Sequence, residues 1–519
     1  MKILIAFSFL CLTTGTFGVA QNITWEKSLG GSGSDIVLTA TATSDGGFLV
    51  GAYAESTDGH VTGNHGASDI WLTKSDAQRN VQWQKCYGGF GLEIVAGIVE
   101  LPSGGYAVLG STRSLNEGAS SQVQGNHGVQ DYLLVFIDDA GNFLRSYCYG
   151  GRKQEDARCI IQTSNGNLLL VGSTQSELLG SHGDWDGYAV CVSVADGSIL
   201  WQRLLGGSLK DYLYSVVETP EGNFALTGAS SSTNDDLQDA NHQGDEDLWV
   251  AQIDANGNLL WSKKYGGSAI DGGRTISQMP TGDLVVAGVC DSQNGDVWNA
   301  HGQRDAWVVY LSEDGTMKWN LAIGGAINES GFSVLPLNDQ EFLVGGETSS
   351  FNGDITNNHG GRDAFVFKLN AEGDIEHKLF LGGTKDDFTR SLIKLGDGKI
   401  LVAATAASFD GDVSQNLGNN DAWLVILGEQ FSASSEPFTP SAMWTIYPNP
   451  AAQTIHCSST QSNLGFKASI YDVKGVELVA SGLETGSVTL PVVQLAPGVY
   501  FVKFQTELGQ VYVQSFVKE

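Results

Sequence analysis

Positive charge is scarce in this chain. Lys and Arg together number 28 against 58 Asp and Glu, for a formal net charge of −30 over 519 residues. Phosphate backbones and anionic membrane surfaces need a cationic face, so nucleic-acid binding and electrostatic membrane binding are excluded. Cationic partners, divalent ions and neutral polymers are permitted. Proline is scarce as well, at 10 residues, so the 67 glycines signal neither collagen nor a Pro-rich spacer. No apolar run is long enough to cross a bilayer as a helix, which leaves no integral membrane segment. No window sustains helical periodicity, and the G-x-S-x-G elbow, the P-loop and the dinucleotide fingerprint are all missing. The cysteines show no C-x-x-C spacing. Beyond Cys11, the six at 86, 148, 159, 191, 290 and 457 read as buried single residues, with disulfides the open alternative in an exported protein.

The N-terminus has the pattern of a signal peptide over residues 1–20: Lys2, an apolar stretch from Ile3 to Leu12, and small residues Gly18-Val19-Ala20 before a cut at Gln21. It predicts export to the periplasm. The length suits a large repeat array with an extra domain.

A Gly-Gly pair recurs after a strand-like run, its first member at Gly30, Gly88, Gly150, Gly206, Gly266, Gly324 and Gly382. Each unit of about 60 residues reads as four short strands. Ile36–Ala42 opens the first unit, Asp45-Gly46-Gly47 turns into Phe48–Tyr53, and a polar loop leads to a third strand starting at Asp69. A turn such as Asp254–Asn258 then opens a fourth, as in Leu259–Tyr265. One such sheet cannot bury both faces alone, but seven arranged radially can. The expectation is therefore an all-β chain with a seven-bladed β-propeller over residues 21–428. A lone strand around Trp25 precedes the first pair and the seventh unit stops after its third strand, so the N-terminal strand is placed to close the last blade and remove an exposed edge. Residues 429–443 read as a linker, and 444–519 as a small C-terminal β-sandwich.

The repeat, visible in Gly345-Gly-Glu-Thr-Ser-Ser350 and Asp363-Ala-Phe-Val-Phe-Lys-Leu369, resembles a bacterial β-propeller repeat family. Ile446-Tyr-Pro-Asn-Pro450, Tyr471-Asp-Val-Lys-Gly475, Leu495-Ala-Pro-Gly-Val-Tyr500 and the ending Val517-Lys-Glu519 resemble the C-terminal sorting domain of type IX secretion cargo in Bacteroidetes. That resemblance implies the type IX machinery as a partner. It also implies a final location outside the cell or on its outer surface, and no catalytic residues in the tail.

Three sets of residues could carry chemistry. Five residues after the first Gly of every pair stands an acid: Asp35, Glu93, Glu155, Asp211, Asp271, Glu329 and Asp387. In a propeller this position opens the innermost strand, so these acids are candidates for a binding ring at the channel mouth. The loop before each third strand carries His and Asp four apart: His65/Asp69, His127/Asp131, His182/Asp186, His301/Asp305 and His359/Asp363, with His242/Asp247 one residue wider. The seventh unit has Leu417 and Asp421. A feature present in nearly every unit reads first as a loop clamp; a metal site is the alternative. Oxygen-rich loops around Asp235, Asp236, Asp239, Asp296, Asp354 and Asp412 are candidates for calcium, though none has EF-hand spacing. No other cofactor is implied. Recurrent Trp residues on strands read as core between blades; Trp185 and Trp298, off the repeat register, are surface candidates. Arg274 and Arg390, near the first-strand acids, read as salt-bridging.

The functional expectation is a non-catalytic binding or adhesion protein that meets a glycan or a surface protein through one loop face. A glycan-active enzyme, hydrolase or lyase, and a purely structural surface component are the open alternatives.

Overall fold

The computed structural model describes residues 23–115, 122–177, 183–237, 244–432, 444–447, 450–459, 465–471, 477–485, 487–506 and 511–518. Residues 1–20 of the expected signal peptide, residues 433–443 of the expected linker 429–443, His182, Asp239 and His242 lie outside these. The chain divides into two units, Met1–Ala433 and Ser434–Glu519.

The first unit is built from seven four-stranded antiparallel sheets among the described residues. In the first sheet, Asp35–Ala42, Phe48–Ala54, Asp69–Ser75 and Val81–Tyr87 pair in that order. Second and third strands are apolar along nearly their whole length and buried on both faces, as in Leu168–Thr174 and Asp131–Ile137. First strands alternate buried and half-buried residues. Such a sheet is stable only between two neighbours. The neighbours are the preceding and following sheets: one core cluster joins Val37 and Trp71 of the first sheet to Leu401, Leu424 and Ile426 of the seventh. The first strands touch in sequence, and Asp387–Lys394 of the seventh sheet touches Asp35–Ala42 of the first, so the circuit closes in a propeller-like arrangement.

Closure uses the N-terminal strand. Ile23–Leu29 pairs antiparallel with Asp421–Leu427, placing Trp25 opposite Ile426 and Leu29 opposite Ala422. It also completes a buried polar pattern. Trp71, Trp249, Trp307 and Trp423 are fully buried on third strands, and each indole N–H needs an acceptor. Gln84, Ser262 and Asn320 of the adjoining fourth strands accept from the first three, at 2.8, 2.9 and 3.1 Å. For Trp423 the acceptor is Glu26 of the N-terminal strand, at 3.0 Å.

Fourth-strand tryptophans lie across the next sheet instead. Trp83 donates to Asp139 O at 2.9 Å and covers Gly141, where a Cβ would sit 2.9 Å from the indole. Gly141 has φ +73°, so both the turn and the close approach require glycine. The six cysteines after Cys11 are all free thiols.

In the second unit, Trp444–Tyr447, Thr454–Ser459 and Ser487–Pro491 form one sheet. Gly465–Tyr471, Glu477–Ala480, Gly498–Thr506 and Val511–Lys518 form most of a second. Ile455, Cys457 and Leu490 of one share a core with Phe466, Ile470 and Phe504 of the other.

A chain lacking residues 21–29 leaves Asp421–Leu427 as an open edge and Trp423 without its acceptor. Its thermal midpoint is expected to fall by more than about 5 °C, with self-association visible by size-exclusion chromatography. An unchanged midpoint and a monodisperse peak would contradict the role assigned to this strand.

Candidate functional site

The seven first-strand acids are all fully buried, which corrects the expectation of an exposed ring at a channel mouth. Each carboxylate accepts the N–H of the second glycine of its own pair. The distances are 2.8 Å for Gly31 to Asp35, 2.9 Å for Gly89 to Glu93 and Gly151 to Glu155, and 2.7 Å for Gly207 to Asp211 and Gly267 to Asp271. Gly325 to Glu329 and Gly383 to Asp387 are both 2.8 Å. Each carboxylate also takes a hydroxyl from the segment after the second strand or from its end, such as Ser56 to Asp35 at 2.7 Å and Thr348 to Glu329 at 2.7 Å. The backbone N–H of the same acid donates to the preceding sheet, from Glu93 to Ser68 O at 2.9 Å and from Asp35 to Asn420 O at 2.8 Å. One residue thus ties a turn, a neighbouring strand and an adjacent sheet, and its oxygens are engaged inside the frame.

The aspartates that open the third strands clamp their loops. Asp69, Asp131, Asp305 and Asp363 accept the N–H of His65, His127, His301 and His359 at 3.0, 2.8, 2.5 and 2.5 Å. Asp421 accepts the N–H of Leu417 in the same way, with no imidazole present. The clamp is therefore a backbone device. The imidazoles of His65, His127 and His359 add a second contact to the same oxygen at 2.6, 2.8 and 2.7 Å, while His301 stands off at 3.9 Å. Asp186 and Asp247 are buried at the equivalent strand starts, the latter 3.3 Å from Lys264 Nζ.

The other carboxylate oxygen, Oδ1, of Asp69, Asp131, Asp305, Asp363 and Asp421 is buried without a hydrogen-bond partner. It faces the first glycine of the next pair, across which stands the next first-strand acid. A Cβ on Gly88 would lie 2.6 Å from Asp69 Oδ1 and closer still to Glu93 Oε2. Burial, opposed by the His127 contacts and reinforced by Glu155, pushes Asp131 up to about 6. Burial with Asp387 nearby does the same to Asp363, also to about 6.

Acids of the oxygen-rich loops named above as calcium candidates hold turns and cations of the frame, with Asp239 outside the described residues. Asp296 and Asp412 each accept the first glycine N–H of the pair in their own sheet at 3.2 Å, and Asp354 at 3.4 Å. Asp354 also holds Lys378 at 2.9 Å. Asp236 holds Arg203 at 2.9 Å, and Asp235 accepts from Asn234 at 2.7 Å. Among the described residues no three His, Cys, Asp or Glu side chains come together as a metal set.

The residues that break the repeat lie elsewhere. Every first strand has a register slip three residues after its acid, between Val37 and Thr39, Ala157 and Cys159, Gly273 and Thr275, and so on through the seven sheets. The extra residues are Leu38, Ala96, Arg158, Tyr214, Arg274, Phe332 and Arg390. Bulges re-aim side chains, and here they converge from adjacent sheets. Arg158 and Arg274 lie 5.5 and 4.7 Å from the Tyr214 ring, and Arg390 lies 3.9 Å from Phe332. Arg274 and Arg390 form no ion pair among the described residues, which corrects their salt-bridging expectation. The residue before each third-strand Asp also varies. Gln130 bonds Glu155 O at 3.1 Å, Trp185 packs on Tyr212 at 5.7 Å, and Arg362 pairs with Asp386 at 3.1 Å. Trp298, on another loop, is exposed. A fixed offset of three from the acid was the sequence signal for the bulge series. At the opposite ends of the first strands a cleft of about 750 Å³ lies between the first two sheets, lined by Ser44, Asp45, Lys74, Glu100 and Tyr106. There Lys74 is already paired with Asp45 at 2.7 Å.

Residues 445–519 match the family model of the secretion system C-terminal sorting domain. The tail is therefore a type IX sorting domain. It marks a protein exported by that route to the cell surface or the medium, and it implies interaction with the type IX machinery. No helix among the described residues is long and apolar enough to cross a membrane. No curated protein matches the chain. Among solved structures, a protein of unknown function from Dyadobacter fermentans is 12% identical and covers 78% of this chain and 98% of its own, with a TM-score of 0.42. BBS1N, solved in complex with ARL6DN, is 10% identical over 80% of this chain and 98% of its own, with a TM-score of 0.43. A member of the DUF4221 family from Bacteroides vulgatus is 10% identical over 78% and 96%, with a TM-score of 0.34. These likenesses concern architecture alone.

Two outcomes follow from the seams. Gly88→Ala forces a methyl between two carboxylates and is expected to cost about 1–3 kcal/mol in denaturant unfolding; a neutral effect would refute the packing described. Asp131 and Asp363 bind protons more tightly folded than unfolded. Their ionisation therefore penalises the fold above pH 6, and the penalty is relieved as pH falls towards the unfolded value of 3.8. Stability should rise between pH 7 and 5, with a shallower slope in Asp131→Asn, as read from urea midpoints.

Proposed function

We propose that the protein is a non-catalytic binding or adhesion protein delivered by type IX secretion. Its first unit is a seven-bladed β-propeller, its tail a β-sandwich address, and its ligand a glycan or a surface protein. The observation that carries this reading is the contrast between frame and rim. The acids, glycines and third-strand aspartates repeat in all seven sheets, while the bulge residue changes from each sheet to the next and the residue before the third strand takes six identities among the seven. In repeat proteins the common positions build the scaffold and the divergent ones meet the partner.

The chemistry of the rim supports recognition. Its carboxylates stand beside cations: Asp156 is 3.9 Å from Arg158, Glu347 is 3.5 Å from Arg362, and Asp291 is 2.7 Å from Arg304.

Purified full-length protein is expected to bind saturably to a subset of an immobilised glycan and surface-protein panel without releasing reducing ends. Release of sugar products would overturn the binding reading, and no binding to any member would favour a structural component. A chain truncated before residue 445 is expected to be absent from the medium and the cell surface and to accumulate in the periplasm, as read by fractionation and immunoblot.

A further inference from the structure

The frame leaves two arginines of one charge cluster without an ion-pair contact, although Glu246 stands near Arg274 and Glu347 near Arg390. Lys and Arg are outnumbered about two to one by acids in this chain, and five of its ten arginines have a carboxylate within ion-pair distance among the described residues. Arg304 makes two bonds to Asp291 at 2.7 and 2.9 Å, Arg362 reaches Asp386, and Arg203 reaches Asp236. Arg274 and Arg390 differ. The Nε of each is buried without a hydrogen-bond partner, as it also is in Arg79, Arg145 and Arg203; what sets the two apart is that, among the described residues, neither guanidinium makes a hydrogen bond or has a carboxylate within ion-pair distance. Their contacts are ring faces: Tyr214 for Arg274, and Phe332 and Phe388 for Arg390, the last at 4.8 Å. Arg362 also lies over Phe388, at 5.3 Å.

The groups around Arg390 sharpen the point. Burial weakens its charge most, Glu347 supports it, and Arg362 and Arg274 oppose it. Glu347 is shared with Arg362. Like charges gathered in a partly buried place repel unless an anion joins them. A guanidinium set over a ring face still has N–H groups to offer, in the fork that matches a carboxylate or sulfate. Next to this cluster, Trp185, Tyr212 and Tyr214 form a run of rings, with Tyr212 and Tyr214 stacked at 6.2 Å.

We propose that the bulge ring is an oxyanion site, in which Arg274 and Arg390 take the carboxylate or sulfate of an acidic saccharide while the rings of Trp185 and Tyr212 take a sugar face. This deepens the binding reading above and rests on it. The alternation of Arg158, Tyr214, Arg274, Phe332 and Arg390 on five consecutive first strands makes the site, and Leu38 and Ala96 on the other two leave its remaining side apolar. Arg158, held by Asp156, borders the site.

Isothermal titration of the full chain with a galacturonate trimer, a sulfated chondroitin tetrasaccharide, neutral xylotriose and inorganic sulfate tests this. At least one acidic oligosaccharide is expected to bind saturably. Affinity should fall about tenfold or more in Arg274→Gln and in Arg390→Gln, and should weaken with added salt. Xylotriose should not compete, and Arg203→Gln, whose partner is Asp236, should bind as the unaltered chain does. Thermal midpoints confirm that the variants fold. Equal binding by the two glutamine variants, or no binding of either acidic oligosaccharide, overturns the site. Sulfate binding as tight as the oligosaccharide shows an adventitious ion only and overturns the saccharide assignment. Neutral-glycan or surface-protein binding that both variants retain overturns the oxyanion site but leaves the binding reading standing. Turnover of a glycan overturns the binding reading itself.

Discussion

The fold depends on a carboxylate buried at the head of each first strand. Taking such a group out of water is costly unless its oxygens are satisfied. Here they are satisfied by a turn amide and by hydroxyls or amides from another segment of the same sheet, while the adjoining backbone amide reaches across to the previous sheet. Asp35 shows the consequence most fully. It receives Gly31 and Ser56, and its amide donates to Asn420, nearly four hundred residues away. The same group that orders a local turn therefore closes the whole circuit. Because each acid is installed by local spacing, the seam repeats wherever the spacing repeats.

The seams also carry a cost. At five of them the aspartate of one sheet directs an unpartnered oxygen towards a glycine that also faces the acid of the next. Burial, with a second carboxylate nearby as a lesser cause, is why Asp131 and Asp363 hold their protons more tightly than usual. At Gly88 glycine is needed for space rather than for a positive φ: any side chain would occupy the gap between the acids. The arrangement is tolerated because the hydrophobic seams around it are extensive, as in the cluster that joins Leu343 and Val366 to Val402 and Trp423.

A frame secured by so few residue types leaves the bulge positions free to vary. Leu, Ala, Arg, Tyr, Arg, Phe and Arg occupy one geometric position in seven sheets, and no two neighbours are alike. The same reasoning assigns the His–Asp loops to structure, since Leu417 stands where a histidine stands in other units and its loop is held identically. The tail adds an address and brings its own core.

Much was legible in the order of residues. The period of the Gly-Gly pairs, the alternation of strands and the stray strand at Trp25 were enough to expect seven sheets and a shared last one, because these are short-range patterns with one economical way to bury their faces. The tail was legible through its motifs. What the sequence could not state was which atoms face which. It presented the first-strand acids and the loop aspartates as candidate ligands, and only the folded chain shows Asp296 and Asp412 spent on glycine amides. Nor could it show that one slipped residue per strand gathers Arg158, Tyr214, Arg274, Phe332 and Arg390 around a common place. Spacing along a strand is a local property, whereas the meeting of side chains from five sheets exists only once the ring has closed and burial has decided which charges find partners.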